Sequence, residues 1–102
     1  MARKLPPIDP NPSWAVHSIS DMGKLVRNQR AVSSLRIDHA AALCGVSSNV
    51  LSRLENGKPV TLDKLLLILN GLGLRLLTLP TRHALDLAPT LAALATDPDT
   101  PA

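Results

Sequence analysis

The chain has 102 residues and a formal net charge of +3, which is the size of one small domain with tails. Hydrophobic residues make up 45% of it and aromatic residues only 1%, a single Trp14 beside twenty leucines and twelve alanines. All-β sandwiches and barrels, which lean on β-branched and aromatic side chains, are thereby excluded, and a mainly α fold built from strong helix formers is expected.

Residues 1–17 hold four of the nine prolines and are expected to be a flexible, extended arm. Within it Trp14 is expected as a plug in the core rather than an exposed anchor. Ser18, with Asp21 three residues on, marks a helix start. Ile19, Met22, Leu25 and Val26 then recur at helical spacing, so a first helix is predicted over 19–32 with Lys24, Arg27, Asn28 and Arg30 outward. A loop through Ser33 and Ser34 leads to a short second helix over 38–44, rich in Ala40, Ala41 and Ala42 and stopped by Gly45. Ser47 is a natural cap for a third helix over 48–55, with Val50, Leu51 and Leu54 inward and Asn56-Gly57 closing it. Thr61 caps a fourth helix that runs through LDKLLLILN to about Asn70, with Asp63 in its first turn.

The next segment, LRLLTLP over 74–80, is bounded by Gly73 and Pro80 and interrupted by Arg75 and Thr78, a pattern that predicts a β-strand. Residues 82–95 can hold a helical turn or two split by Pro89, and TDPDTPA reads as a disordered tail. The folded domain is therefore expected over 18–80, with 81–102 a tail that is partly helical or disordered.

Charge is concentrated on the part that looks folded. Residues 20–80 carry eight Lys or Arg against four acids, an excess that permits binding to a polyanion. Catalysis finds little to work with. His17, His39 and His83 are far apart, Cys44 falls on a core face, and no paired carboxylates, phosphate-binding glycine loop or metal-ligand spacing is present. No enzyme activity, cofactor or metal is expected. The lone cysteine cannot form an internal disulfide, the basic start has no apolar export segment behind it, and no run approaches the ~18 apolar residues of a membrane span. A cytoplasmic location is the expectation.

The stretch LRIDHAAALCGVSSNVLSRLENG over 35–57 resembles the helix-turn-helix of the Xre/Cro family of DNA-binding regulators. In that resemblance Ala41 sits where the second helix crosses the third, Gly45 makes the turn between them, and Val46, Leu51 and Leu54 fill the wedge that fixes their angle. The fold it implies is a lambda-repressor-like helix-turn-helix bundle of four to five helices. The exposed face of the third helix then presents Ser47, Ser48, Asn49, Ser52 and Arg53 to DNA. Asn can pair with adenine, Ser is undiscriminating, and Arg serves guanine or the backbone. Arg36 and Lys58 are expected phosphate contacts. Arg30 and Glu55 match a pair that joins the first helix to the third in relatives. Two departures stand out: Ile37 occupies a place where the family often has glutamine, and Arg36 replaces the usual Ser or Thr cap.

GKPVTLDKLLLILNGLGLRLLTLP over 57–80 is similar to the HipB-like branch of that family, antitoxins encoded beside HipA-type toxin kinases. The resemblance implies a homodimer that binds a palindromic operator on double-stranded DNA, represses its own operon and sequesters a HipA-like kinase toxin. The alternatives are a stand-alone Xre-type regulator and a protein-interaction module that has lost DNA binding. Independently, a lone strand leaves its backbone groups unpaired. Pairing with a second copy across a two-fold axis, burying Leu74, Leu76, Leu77 and Leu79, is the simplest remedy, unless the segment from Trp14 to Ile19 supplies the partner within one chain.

Overall fold

The computed structural model describes residues 5–96. Five helices follow one another: α1 (Ile19–Val32), α2 (Ile37–Cys44), α3 (Ser48–Glu55), α4 (Leu62–Gly71) and α5 (Thr81–Thr96). The expected ends of residues 1–4 and 97–102 lie outside the described residues.

Local chemistry sets the helix boundaries. At the start of α1 the Asp21 N–H donates to Ser18 Oγ at 3.1 Å, and the Asp21 carboxylate accepts from the His17 N–H at 3.0 Å. Ser47 caps α3 by accepting from the Val50 N–H at 3.1 Å. The first four helices all end in the same double turn, in which a left-handed residue lets two successive N–H groups reach back to the last carbonyls. After α2, Gly45 (φ 77°) donates to Ala42 O and Val46 to Ala41 O. The same bonding pattern closes α3 at Gly57 and Lys58 and α4 at Gly73 and Leu74. In α1 the left-handed position falls to Ser34 (φ 57°), with Leu35 donating to Arg30 O. In three of the four cases the residue after the turn is apolar and half-buried, Leu35, Val46 and Leu74, so each turn also feeds the core.

The core is formed by Met22 and Val26 of α1, Ala40, Ala41 and Cys44 of α2, Leu51 and Leu54 of α3, and Ile68, Leu69 and Leu72 of α4 and its cap. Helix α1 packs on α3, α2 on α3 and α4, and α3 on α4. Two glycines allow the closest approaches. A Cβ on Gly23 would lie 2.1 Å from the Leu54 carbonyl oxygen, and one on Gly71 would lie 2.6 Å from Cys44 Sγ and 2.8 Å from its Cα. Small residues on α2 and Gly71 on α4 thus bring two backbones together that larger side chains would hold apart.

Several sequence expectations are corrected. No strand forms among the described residues. The segment 74–80 is irregular, and no main-chain hydrogen bond ties 75–79 to the rest of the described chain. A ladder needs a partner, and 14–19, the intrachain candidate, is not one. Leu74 packs against its own core, whereas Leu76, Leu77 and Leu79 are exposed, so no burial of all four together occurs within the chain. Pro89 does not divide the C-terminal segment: it lies inside the continuous α5, where the Leu- and Ala-rich flanks outweigh one missing N–H. Trp14 is exposed and plugs nothing, and Arg30 is buried rather than outward. Helix α5 belongs to none of the packed pairs above. No helix of the described residues is long and apolar enough to cross a membrane.

Candidate nucleic-acid interface

The glycine turn at 45 joins α2 to α3, and the wedge of Ala41, Leu51 and Leu54, all buried, with half-buried Val46 and Val50 beside it, fixes the two helices against each other. Because these inward positions recur at helical spacing, the opposite side of α3 must carry its polar residues. Ser48, Asn49 and Arg53 are exposed there and Ser52 is half-buried.

The polar groups on this side differ in how far they are already engaged. Ser47 Oγ is occupied as the cap of α3. Ser52 accepts from the Asn56 side-chain amide, through its carbonyl at 2.8 Å and its hydroxyl at 3.4 Å. Arg53 Nη2 donates to the Pro59 carbonyl at 3.1 Å, which turns the guanidinium toward the loop between α3 and α4. The side chains of Ser48 and Asn49 make no hydrogen bond among the described residues. Arg36 is the N-terminal flanking residue of α2, exposed and with no capping bond from its side chain, and Lys58 is exposed just beyond α3. Ile37 packs against the core, so the position where relatives often place glutamine is taken up by packing here.

Behind α3 lies a buried ion pair. Arg30 Nε and Nη2 donate to the two Glu55 carboxylate oxygens at 2.7 and 2.8 Å, a two-pronged contact, and Arg30 Nη1 donates to Leu35 O at 3.0 Å. Glu55 is also 3.6 Å from Arg27 Nε, and Arg27 Nη2 donates to Glu55 O at 3.2 Å. The end of the exposed helix is therefore held to α1 by two arginines. A single negative charge faces two positive ones, and the fork geometry of arginine satisfies the carboxylate while burying it.

The sequence marks Arg27 only as a surface charge and does not mark Gly23 or Gly71 as points where helices cross. A glycine inside a helical pattern was the available signal for both glycines. Nothing in the sequence marked Arg27, because its partner is a carbonyl 28 residues away. The arm was likewise not expected to be anchored, yet the Asp9 N–H donates to Asn28 Oδ1 at 2.7 Å and Asn28 Nδ2 donates back to Asp9 O at 3.1 Å.

Titration adds two directions. Burial pushes the Cys44 thiol up from its ordinary range, so it stays protonated and inert. A hydrogen bond from the Thr61 side chain holds the exposed Asp63 carboxyl below its ordinary range, with the Lys64 main chain and charge acting in the same direction. Among the described residues no group of three His, Cys, Asp or Glu side chains gathers as a metal site.

Two short helices joined by a glycine turn, the second presenting a polar face and buttressed from behind, define the helix-turn-helix class of DNA-binding proteins. The helix-turn-helix family model matches residues 26–79, more than half of the chain. The protein belongs to this Xre/lambda-repressor-like helix-turn-helix family, whose members are DNA-binding transcription regulators. No curated protein matches the chain.

Proposed function

We propose that the protein is a sequence-specific transcriptional repressor that binds a palindromic operator as a homodimer. The observation that carries this reading is the outward polar face of α3, with Ser48, Asn49 and Arg53 exposed on a helix locked to α1 through Glu55. Arg36 and Lys58, exposed at either end of the α2–α3 unit, are the phosphate contacts of this reading, and Ser47 and Ser52 border the base-facing surface.

Support for a homodimer comes from surface the single chain leaves open. Leu62, Leu66 and Leu67 of α4 are exposed, as are Leu76, Leu77 and Leu79 in a segment whose backbone groups have no main-chain partner among the described residues. A second copy offers the same unpaired backbone and the same leucines, so antiparallel pairing satisfies both. Two reading heads also supply the specificity that one short helix lacks.

The finer reading is an antitoxin that restrains a HipA-like kinase and represses the operon encoding both. It rests on the likeness of residues 57–80 to HipB-like proteins. The test is binding to DNA upstream of the gene, with footprinting. The expected result is protection of an inverted repeat, with affinity falling steeply as salt rises. Binding that ignores sequence would reject the repressor reading. Co-expression with a neighbouring kinase gene then separates the antitoxin, which relieves toxicity, from a stand-alone regulator, which does not.

A further inference from the structure

Of the polar side chains on α3, we infer that Arg53 is a sequence-indifferent phosphate contact, and that base discrimination falls to Ser48 and Asn49. This rests on the operator-binding reading above and divides the labour within it.

Three observations lead there. Arg53 lies in the last turn of α3, whereas base edges are met mainly by residues of a recognition helix's N-terminal part. Its guanidinium is held by the Pro59 carbonyl at 3.1 Å, which ties the side chain to the loop after α3. That bond uses one N–H of five, the residue is exposed, and the other donors make no hydrogen bond among the described residues. A guanidinium tied in this way has lost part of its rotamer freedom before DNA arrives, which favours a contact to the duplex backbone, beside the one read for Lys58, over a probe into the groove.

The neighbours complete the argument. Ser47 Oγ is spent on capping and the Ser52 hydroxyl is met by Asn56. Of the polar side chains of α3, Ser48 and Asn49 in its first turn are exposed and make no hydrogen bond among the described residues. Asn49 carries a donor and an acceptor on one amide, the pairing that adenine offers in the major groove.

The experiment selects binding sites from a random duplex library with the full chain. It then measures affinity for the selected site and for a scrambled duplex of equal length across a salt series. Arg53→Ala is expected to weaken binding to both duplexes by the same factor, about fivefold per protomer at moderate salt, and to reduce the slope of log affinity against log salt by about one per protomer. Arg53→Lys, which keeps the charge, should restore the slope. Asn49→Ala should weaken only the selected site, about 5- to 100-fold per half-site, with the slope unchanged. A thermal melt of each variant excludes misfolding as the cause, since both residues are exposed. The inference is overturned if Arg53→Ala lowers affinity for the selected site alone, or if selection with that variant loses a base position that the parent chain specifies. If the parent chain enriches no sequence, the operator-binding reading itself fails, and the division of labour falls with it.

Discussion

Leucine behaves differently in two halves of this molecule. Between Ile19 and Leu72 one set of apolar side chains converges, Leu51, Leu54 and Ile68 being completely buried while Leu43, Leu62, Leu66 and Leu67 stay outside, and the helices that carry the buried set satisfy their own backbones. From residue 76 onward the composition is just as rich in leucine, yet Leu77 is 75% exposed and Leu85 69%. The first region has opposing surfaces from four neighbouring helices, whereas the second has an irregular segment and a helix that stands outside the packed pairs formed by those four. Hydrophobicity alone does not make a core. It needs a facing surface and a backbone whose hydrogen bonds are already closed.

That contrast can be broken or sharpened by substitution, read as unfolding free energy from denaturant titration at low protein concentration. Glu55→Ala is expected to have the largest effect, a loss of about 3–5 kcal/mol, because it strands the buried Arg30 guanidinium with only the Leu35 carbonyl. Arg30→Ala should cost less, since Arg27 still faces the carboxylate at 3.6 Å. If the two were equally harmful, Arg27 would contribute nothing to the pair.

Gly23→Ala comes next, with an expected loss of about 2 kcal/mol despite alanine's better helix propensity, because the added carbon meets the Leu54 carbonyl. A neutral or stabilising result would mean that α1 and α3 can separate without cost. Ser34→Gly should act in the opposite direction, raising stability by about 0.5 kcal/mol, as glycine accepts the left-handed backbone that closes α1. Smallest is Leu85→Gln, expected to change stability by less than about 0.5 kcal/mol. A loss of 2 kcal/mol there would show that α5 packs as firmly as the first four helices, and the contrast would disappear.

How much was legible in the sequence follows the same division. The helix starts at Ser18 and Ser47 and the stops at Gly45 and Gly57 were readable because caps and left-handed turns depend on residues within a few positions of one another. The outward face of α3 was readable from spacing alone, and Arg30 with Glu55 from the resemblance. Arg53 was legible as an exposed cation but not as a tethered one, since its acceptor belongs to the loop carbonyl of Pro59. The segment 74–80 forms no strand within the single chain, because alternation records which side chains are apolar, while a strand also requires a neighbour to pair with.

By itself, then, the sequence determined the helical class, the boundaries of α1 to α4 and the polarity of each face, all of which arise from interactions over one or two turns. Tertiary structure alone decided that Gly23 and Gly71 are crossing points, that Arg30 is buried while Arg27 reaches the end of α3, and that Asn28 anchors the arm at Asp9. Those outcomes depend on which surfaces meet in space. Residues nineteen or more positions apart announce no such meeting in the order of the chain.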